Sequence, residues 1–155
     1  MELEDLKEEY VKLGKEYKLP SFKELEEGFE IAKIEKDTET ILRAVRKVMM
    51  EKVVSSLGFV EMLLNPMNAP RMYLNYIKLM GGEDKKSIEK IYSSLADLSV
   101  YSLEREVDYD EKGEAELIQK IFDTWGNVRP EFRKILASMK KPNNSSMMKE
   151  RSYFG

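Results

Sequence analysis

The sequence predicts an all-α fold: a single helical bundle of six to seven helices spanning residues 1–141, followed by a flexible C-terminal tail, 142–155. Three observations carry that expectation. Apolar residues recur at steps of three and four along nearly the whole chain, and no alternating run is bounded like a strand. Clusters of Pro, Gly and Asn interrupt that period at 65–70, 81–82 and 126–127. Apolar residues make up 42% and charged residues 35%, enough of the first for a core and of the second for a solvated helical surface.

Each element follows from local chemistry. Leu3, Leu6, Tyr10, Leu13 and Tyr17 mark the apolar face of a first helix, weakened late by Gly14 and ended by Leu19-Pro20. Ser21-Phe22-Lys23-Glu24 has the form of a capping box, so Ser21 opens a second helix with Phe22, Leu25 and Phe29 inward. Asp37 and Thr38 are cap candidates for a third. Its stripe of Leu42, Val45, Met49, Val53, Val60 and Leu64 spans about 25 residues, twice the usual length, so it is expected to be central. Asn68 is the expected cap of a fourth helix lined by Met72, Tyr73, Tyr76, Ile77 and Met80 and closed by Gly81-Gly82. Met62, Met67, Met72 and Tyr73 could serve the core or an interface. Asp84 or Ser87 starts a fifth, with Ile88, Ile91, Tyr92, Leu95, Leu98 and Tyr101 or Ser102 inward and Ser93, Ser94, Ala96 and Ser99 keeping its other side slim. After a turn at 108–113, Leu117, Ile118, Ile121, Phe122 and Trp125 define a sixth. Gly126-Asn127 is expected to break it, and Pro130 to open a seventh carrying Phe132, Ile135, Leu136 and Met139.

The chain contains no histidine and no cysteine. That removes Ser-His-Asp and Cys-His catalysis, ordinary zinc sites, His-ligated haem, thiol redox chemistry and disulfides. No cofactor and no metal are expected, and a non-enzyme is the reading. A buried, unpaired Lys or Glu in a pocket would revive an enzyme. Lack of cysteine fits a reducing compartment. The first residues lack a signal-peptide pattern. The most apolar stretch, 53–64, is too short to span a bilayer and contains Glu61. A cytoplasmic location and no membrane partner are expected. The 22 Glu and 19 Lys against one Gln resemble the composition of thermophile proteins, although exposed helices favour the same residues and ten Met weigh against it.

Three constellations bear on chemistry. Asp108, Asp110 and Gly113 match positions of a calcium loop, but Lys112 and Gln119 occupy places that need carboxylate or other oxygen ligands; a polar turn with acids at a helix start accounts for them better. Carboxylates cluster at Glu26, Glu27 and Glu30 and at Glu104, Glu106 and Asp108, without the histidine a dinuclear helical site takes, and read as solvated faces. Basic residues gather at Arg43, Arg46 and Lys47 and again at Arg129, Arg133, Lys134, Lys140 and Lys141. The net charge is −3 overall and its distribution is uneven, with the basic excess toward the C-terminus. The second cluster is the candidate nucleic-acid or ribosome contact.

The tail joins linker chemistry, Pro142-Asn143-Asn144-Ser145-Ser146, to Met147, Met148, Tyr153 and Phe154. Apolar anchors on a linker suit insertion into a partner's pocket. Tyr153-Phe154-Gly155 resembles the hydrophobic-Tyr-any ending of proteasome activators, with Phe in the tyrosine's place. That resemblance implies docking between subunits of a ring. The ending resembles, more distantly, a sliding-clamp-binding peptide, with Glu150 where that motif has an aliphatic residue. Leu19-Pro20-Ser21-Phe22, Leu25 and Phe29-Glu30-Ile31 resemble a family of uncharacterised small all-helical archaeal proteins, which implies a helical fold and no particular activity. The expected function is therefore a non-enzymatic adaptor or regulatory protein that binds a larger protein complex through Tyr153, Phe154, Met147 and Met148. The alternative is a nucleic-acid- or ribosome-associated protein using Arg129, Arg133, Lys134, Lys140 and Lys141. Homo-oligomerisation stays open.

Overall fold

The computed structural model describes residues 3–34 and 40–140. Among the described residues six α-helices follow one another: α1 (Leu3–Tyr17), α2 (Phe22–Phe29), α3 (Ile41–Leu64), α4 (Arg71–Leu79), α5 (Gly82–Val107) and α6 (Glu111–Met139). Short 3-10 turns lie at Ile31–Lys33 and Pro66–Asn68, and no strand occurs among the described residues. The fold is the all-α bundle that the apolar periodicity predicts. Asp37, Thr38, Lys141 and the expected tail 142–155, with Met147, Met148, Tyr153 and Phe154, lie outside the described residues.

The three long helices α3, α5 and α6 pack against one another and form the centre. Val45, Met49 and Val53 of α3, Ile91, Leu95 and Leu98 of α5, and Ile118 and Ile121 of α6 are fully buried there. Close packing of this kind supplies most of a helix's stability, because isolated helices are marginal in water. The smaller α1 and α2 fold over one side through Leu6, Tyr10, Leu25 and Phe29. The α1 terminus uses Lys18 in the left-handed region (φ 57°), and Leu19 N–H donates back to the Gly14 carbonyl at 2.9 Å. Pro20 follows, and its carbonyl accepts from the buried Tyr10 hydroxyl at 2.7 Å, fixing the turn onto α1. The capping box at Ser21 is complete. Glu24 N–H donates to Ser21 Oγ at 3.1 Å, and Ser21 N–H donates to Glu24 Oε1 at 3.2 Å.

Three boundaries differ from the sequence expectation. Asn68 falls inside the 3-10 turn, and the residue preceding α4 is Pro70, which provides no side-chain cap. Gly81-Gly82 does not close α4. Met80 does so in an extended conformation, Gly81 precedes α5 and Gly82 is its first residue. Glu83 and Asp84 then sit in the first turn, where the helix dipole favours acids. The third difference is the largest: Gly126, Asn127 and Pro130 do not break α6, which is continuous for 29 residues with Pro130 inside it. The expected sixth and seventh helices are one. Pro130 lacks the N–H that would bond the Gly126 carbonyl. Both residues are exposed, so water can satisfy that carbonyl. Buried Val128 and Ile135 hold the helix on either side of the missing bond, and Phe132 meets Phe59 at 5.8 Å. Tertiary packing thus overrides local propensity.

Candidate functional site

The two charged residues buried among the described residues, Arg46 and Glu114, are paired with each other. Arg46 on α3 is 1% exposed and Glu114 on α6 is 0% exposed. Arg46 donates Nε to Glu114 Oε2 at 2.8 Å and Nη2 to Oε1 at 2.9 Å, a bidentate clamp. Its Nη1 donates to Ser102 Oγ at 3.0 Å and to Glu106 Oε1 at 2.8 Å, both on α5. Glu106 also accepts from Arg43 at 2.9 Å and lies 3.7 Å from Lys47. Burial pulls the Arg46 guanidinium toward neutrality, but its hydrogen bonds to Glu114 and Glu106 outweigh this and the pKa is raised. Burial likewise pushes the Glu106 carboxyl up, and the hydrogen bonds from Arg46 and Arg43 more than reverse this, leaving it below the ordinary carboxylate value. The network joins the three central helices at one point. Neither Arg46 nor Glu114 lines the clefts between α5 and α6, on the α3 face or between α2 and α6. A saturated pair in this position fixes helix register; it is not poised for proton transfer. Arg46 and Arg43 are therefore unsuited to the nucleic-acid contact their sequence suggests: one is buried, and both hold carboxylates.

The other basic candidates are on the surface. Arg129 and Arg133 on α6 and Lys140 at its C-cap are exposed at steps of four and seven, which places them along one face. Lys134 is off that face and lies 3.7 Å from Glu131. Arg129 borders a cleft of about 580 Å³ between α2 and α6, whose other lining includes Glu24, Glu27, Asp123 and the rings of Phe29, Phe122 and Trp125. The basic stripe thus begins beside an acidic cleft, which a polyanion would have to pass. Over Trp125 sits Lys52 Nζ, 5.9 Å from the ring centroid, donating to the Gly28 carbonyl at 2.7 Å. At the α5–α6 turn, Asp110 caps α6 by accepting from Gly113 N–H at 3.0 Å and pairs with Arg105 at 3.6 Å. These residues act as a turn. No group of three or more His, Cys, Asp or Glu side chains is placed to hold a metal among the described residues.

The outer face of α5 has no packing partner among the described residues. Its inner face carries Ile88, Ile91, Leu95, Leu98 and Ser102, all buried, at steps of three, four, three and four. Five residues further along at every step stand Ser93, Ala96, Val100, Leu103 and Val107. Five residues turn an α-helix by about 140°, so this second series lies well away from the core. Val100, Leu103 and Val107 are 61, 64 and 80% exposed. Beside them, Asp97 and Glu104 have no ion-pair partner among the described residues. One apolar stripe suffices to dock a surface helix, and α5 has two. Sequence reading found the first and took Ser93 and Ala96 only as marks of a slim side. The signal was present in the 3-4 spacing that runs on from them through Val100, Leu103 and Val107. Elsewhere, Met67 and Met72 are strongly exposed while Met62 and Tyr73 are half-buried, so the corner between α3 and α4 is only partly core.

No helix of the described residues is long and apolar enough to cross a membrane. Comparison with family models, curated proteins and solved structures gives no match.

Proposed function

We propose that this chain is a non-enzymatic adaptor or regulatory protein, and that it binds another protein through the outer face of α5. The observation that supports this reading is the row Val100, Leu103 and Val107, exposed in register at helix-packing spacing. Contiguous exposed aliphatic side chains are uncommon on soluble surfaces and mark interaction sites. The buried ionisable pair weighs against an enzyme, because the charges taken out of water are hydrogen-bonded to each other. The tail anchors Met147, Met148, Tyr153 and Phe154 belong to the same reading as a second contact, on their sequence chemistry alone.

The test is affinity capture with three forms: the full chain, Leu103→Glu, and a chain ending at Lys141. Leu103→Glu should lose the bound protein while melting within about 0.5 kcal/mol of the full chain, as surface changes do. A partner that survives Leu103→Glu and is lost on truncation would move the function to the tail. A nucleic acid whose retention falls steeply with salt would favour Arg129, Arg133 and Lys140 instead.

A further inference from the structure

The outer face of α5 also carries information about what covers it. From Ser93 to Val107 it takes 14 residue steps, so at 1.5 Å per step it extends about 21 Å, the length of two heptads. It is one helix wide. Its first half presents small side chains, Ser93 and Ala96, and its second half presents larger ones, Val100, Leu103 and Val107. A helix laid along it can approach closely at one end and interdigitate at the other.

Two occupants have this geometry: the α5 of a second copy, or a helix of another protein. Charge separates them. Asp97 and Glu104 flank the row on the same side, seven residues apart and unpaired. In an antiparallel pair centred on Val100, Asp97 of each copy lies beside Glu104 of the other, so like charges meet twice. In a parallel pair those carboxylates face Tyr92 and Ser99 of the other copy, and neither is a cation. A foreign helix with lysine or arginine along one border meets neither charge objection.

Resting on the proposed interaction role, we infer that the outer face of α5 receives an amphipathic basic helix, with its aliphatic row against Ala96, Val100, Leu103 and Val107 and its cations beside Asp97 and Glu104. The docked helix completes a second layer on α5, and the charges select its sign.

The probe is a synthetic three-heptad peptide with Leu at both core positions, Lys at the flanking positions and Gln elsewhere, compared with the same peptide carrying Glu in place of Lys. Binding to the full chain is read by fluorescence anisotropy, and its place by amide shift changes over 93–107. The Lys peptide should bind at least about tenfold more tightly than the Glu peptide at ~50 mM salt, with the gap shrinking toward ~0.5 M as screening shortens. Leu103→Glu should abolish binding of the Lys peptide. The double variant Asp97→Lys/Glu104→Lys should reverse the order of the two peptides. Equal affinities, no binding by either peptide, shifts elsewhere on the molecule, or an unchanged order in the double variant would overturn the inference. So would light scattering that finds a dimer which Leu103→Glu dissociates, because the second copy would then own the face. Loss of the natural partner in Leu103→Glu but not in the charge-reversed variant would leave the interaction role standing and remove only the basic helix.

Discussion

Removing Arg46 alone should damage this fold far more than removing Arg46 and Glu114 together. Arg46→Met deletes four hydrogen bonds and leaves the Glu114 carboxylate, at 0% exposure, without its bidentate partner. Stranding one member of a buried ion pair costs about 3–5 kcal/mol. That is a large share of the ~5–15 kcal/mol that holds a typical domain together. At about 2–4 °C per kcal/mol for a chain of this size, the melting temperature should fall by about 6–20 °C. Glu114→Leu should cost a similar amount, because the guanidinium then loses two bonds in a site closed to water. The double variant Arg46→Met/Glu114→Leu removes both desolvation penalties and fills the space with apolar groups. Such replacements are neutral or stabilising in the best-studied cases. Glu106 keeps Arg43 and Lys47, and the Ser102 hydroxyl can turn to a carbonyl of its own helix. The double variant should therefore lie within about 2 kcal/mol of the parent, giving a coupling energy of at least ~4 kcal/mol. Guanidinium unfolding of the four proteins at neutral pH measures it. Single variants within 1 kcal/mol of the parent, or a double variant as weak as the sum of the singles, would refute the account of a sealed, mutually dependent pair.

Two further outcomes follow from other parts of the molecule. Pro130→Ala should stabilise the chain by up to about 3 kcal/mol, since it restores an N–H to the Gly126 carbonyl within a helix that is already continuous; a lower melting temperature would mean that the proline ring is needed where it stands. Glu106 has its pKa lowered in the folded chain, so the stability it contributes is complete above the unfolded value near 4.5 and is lost as pH falls through the lower folded value. Glu106→Gln should therefore be the less stable form at about pH 7, with the gap closing toward about pH 3. A gap of equal size at both would show that the charge has no part in it.

Most of the fold is legible because most of it is local. The Ser21 box, the Leu19-Pro20 stop and the long stripe from Leu42 to Leu64 announce themselves in neighbouring residues, and the structure keeps them. Where local signals failed, a distant contact decided the outcome. Gly126, Asn127 and Pro130 read as a break because each disfavours helix, yet Val128, Phe132 and Ile135 have α3 and α5 to lie against. The buried pair was hidden by distance, its members standing 68 positions apart in the sequence. A trace existed, since Arg46 continues the stripe of Leu42, Met49 and Val53 at steps of four, three and four. A charged residue on a core stripe predicts a buried partner of opposite sign, but the sequence offers 29 acids to choose from.

The same reasoning explains why the outer face of α5 could be described as slim without its second apolar row being recognised. A stripe search finds the strongest apolar row in a helix and treats the remainder as surface. In α5 the strongest row satisfies the intramolecular core completely: Ile88, Ile91, Leu95 and Leu98 are buried without help from the second row. The fold therefore gains nothing from Val100, Leu103 and Val107 and bears their exposure as a solubility cost. Scattered exposed aliphatic residues would carry no message, since every protein surface has some. Here they hold one register over two heptads, five residues out of phase with the core row. That phase puts them on a face no other helix of the described residues covers, and the carboxylates Asp97 and Glu104 run along its edge. Exposure, register and border charge are separate observations, and a docked basic helix is the simplest object that accounts for all three.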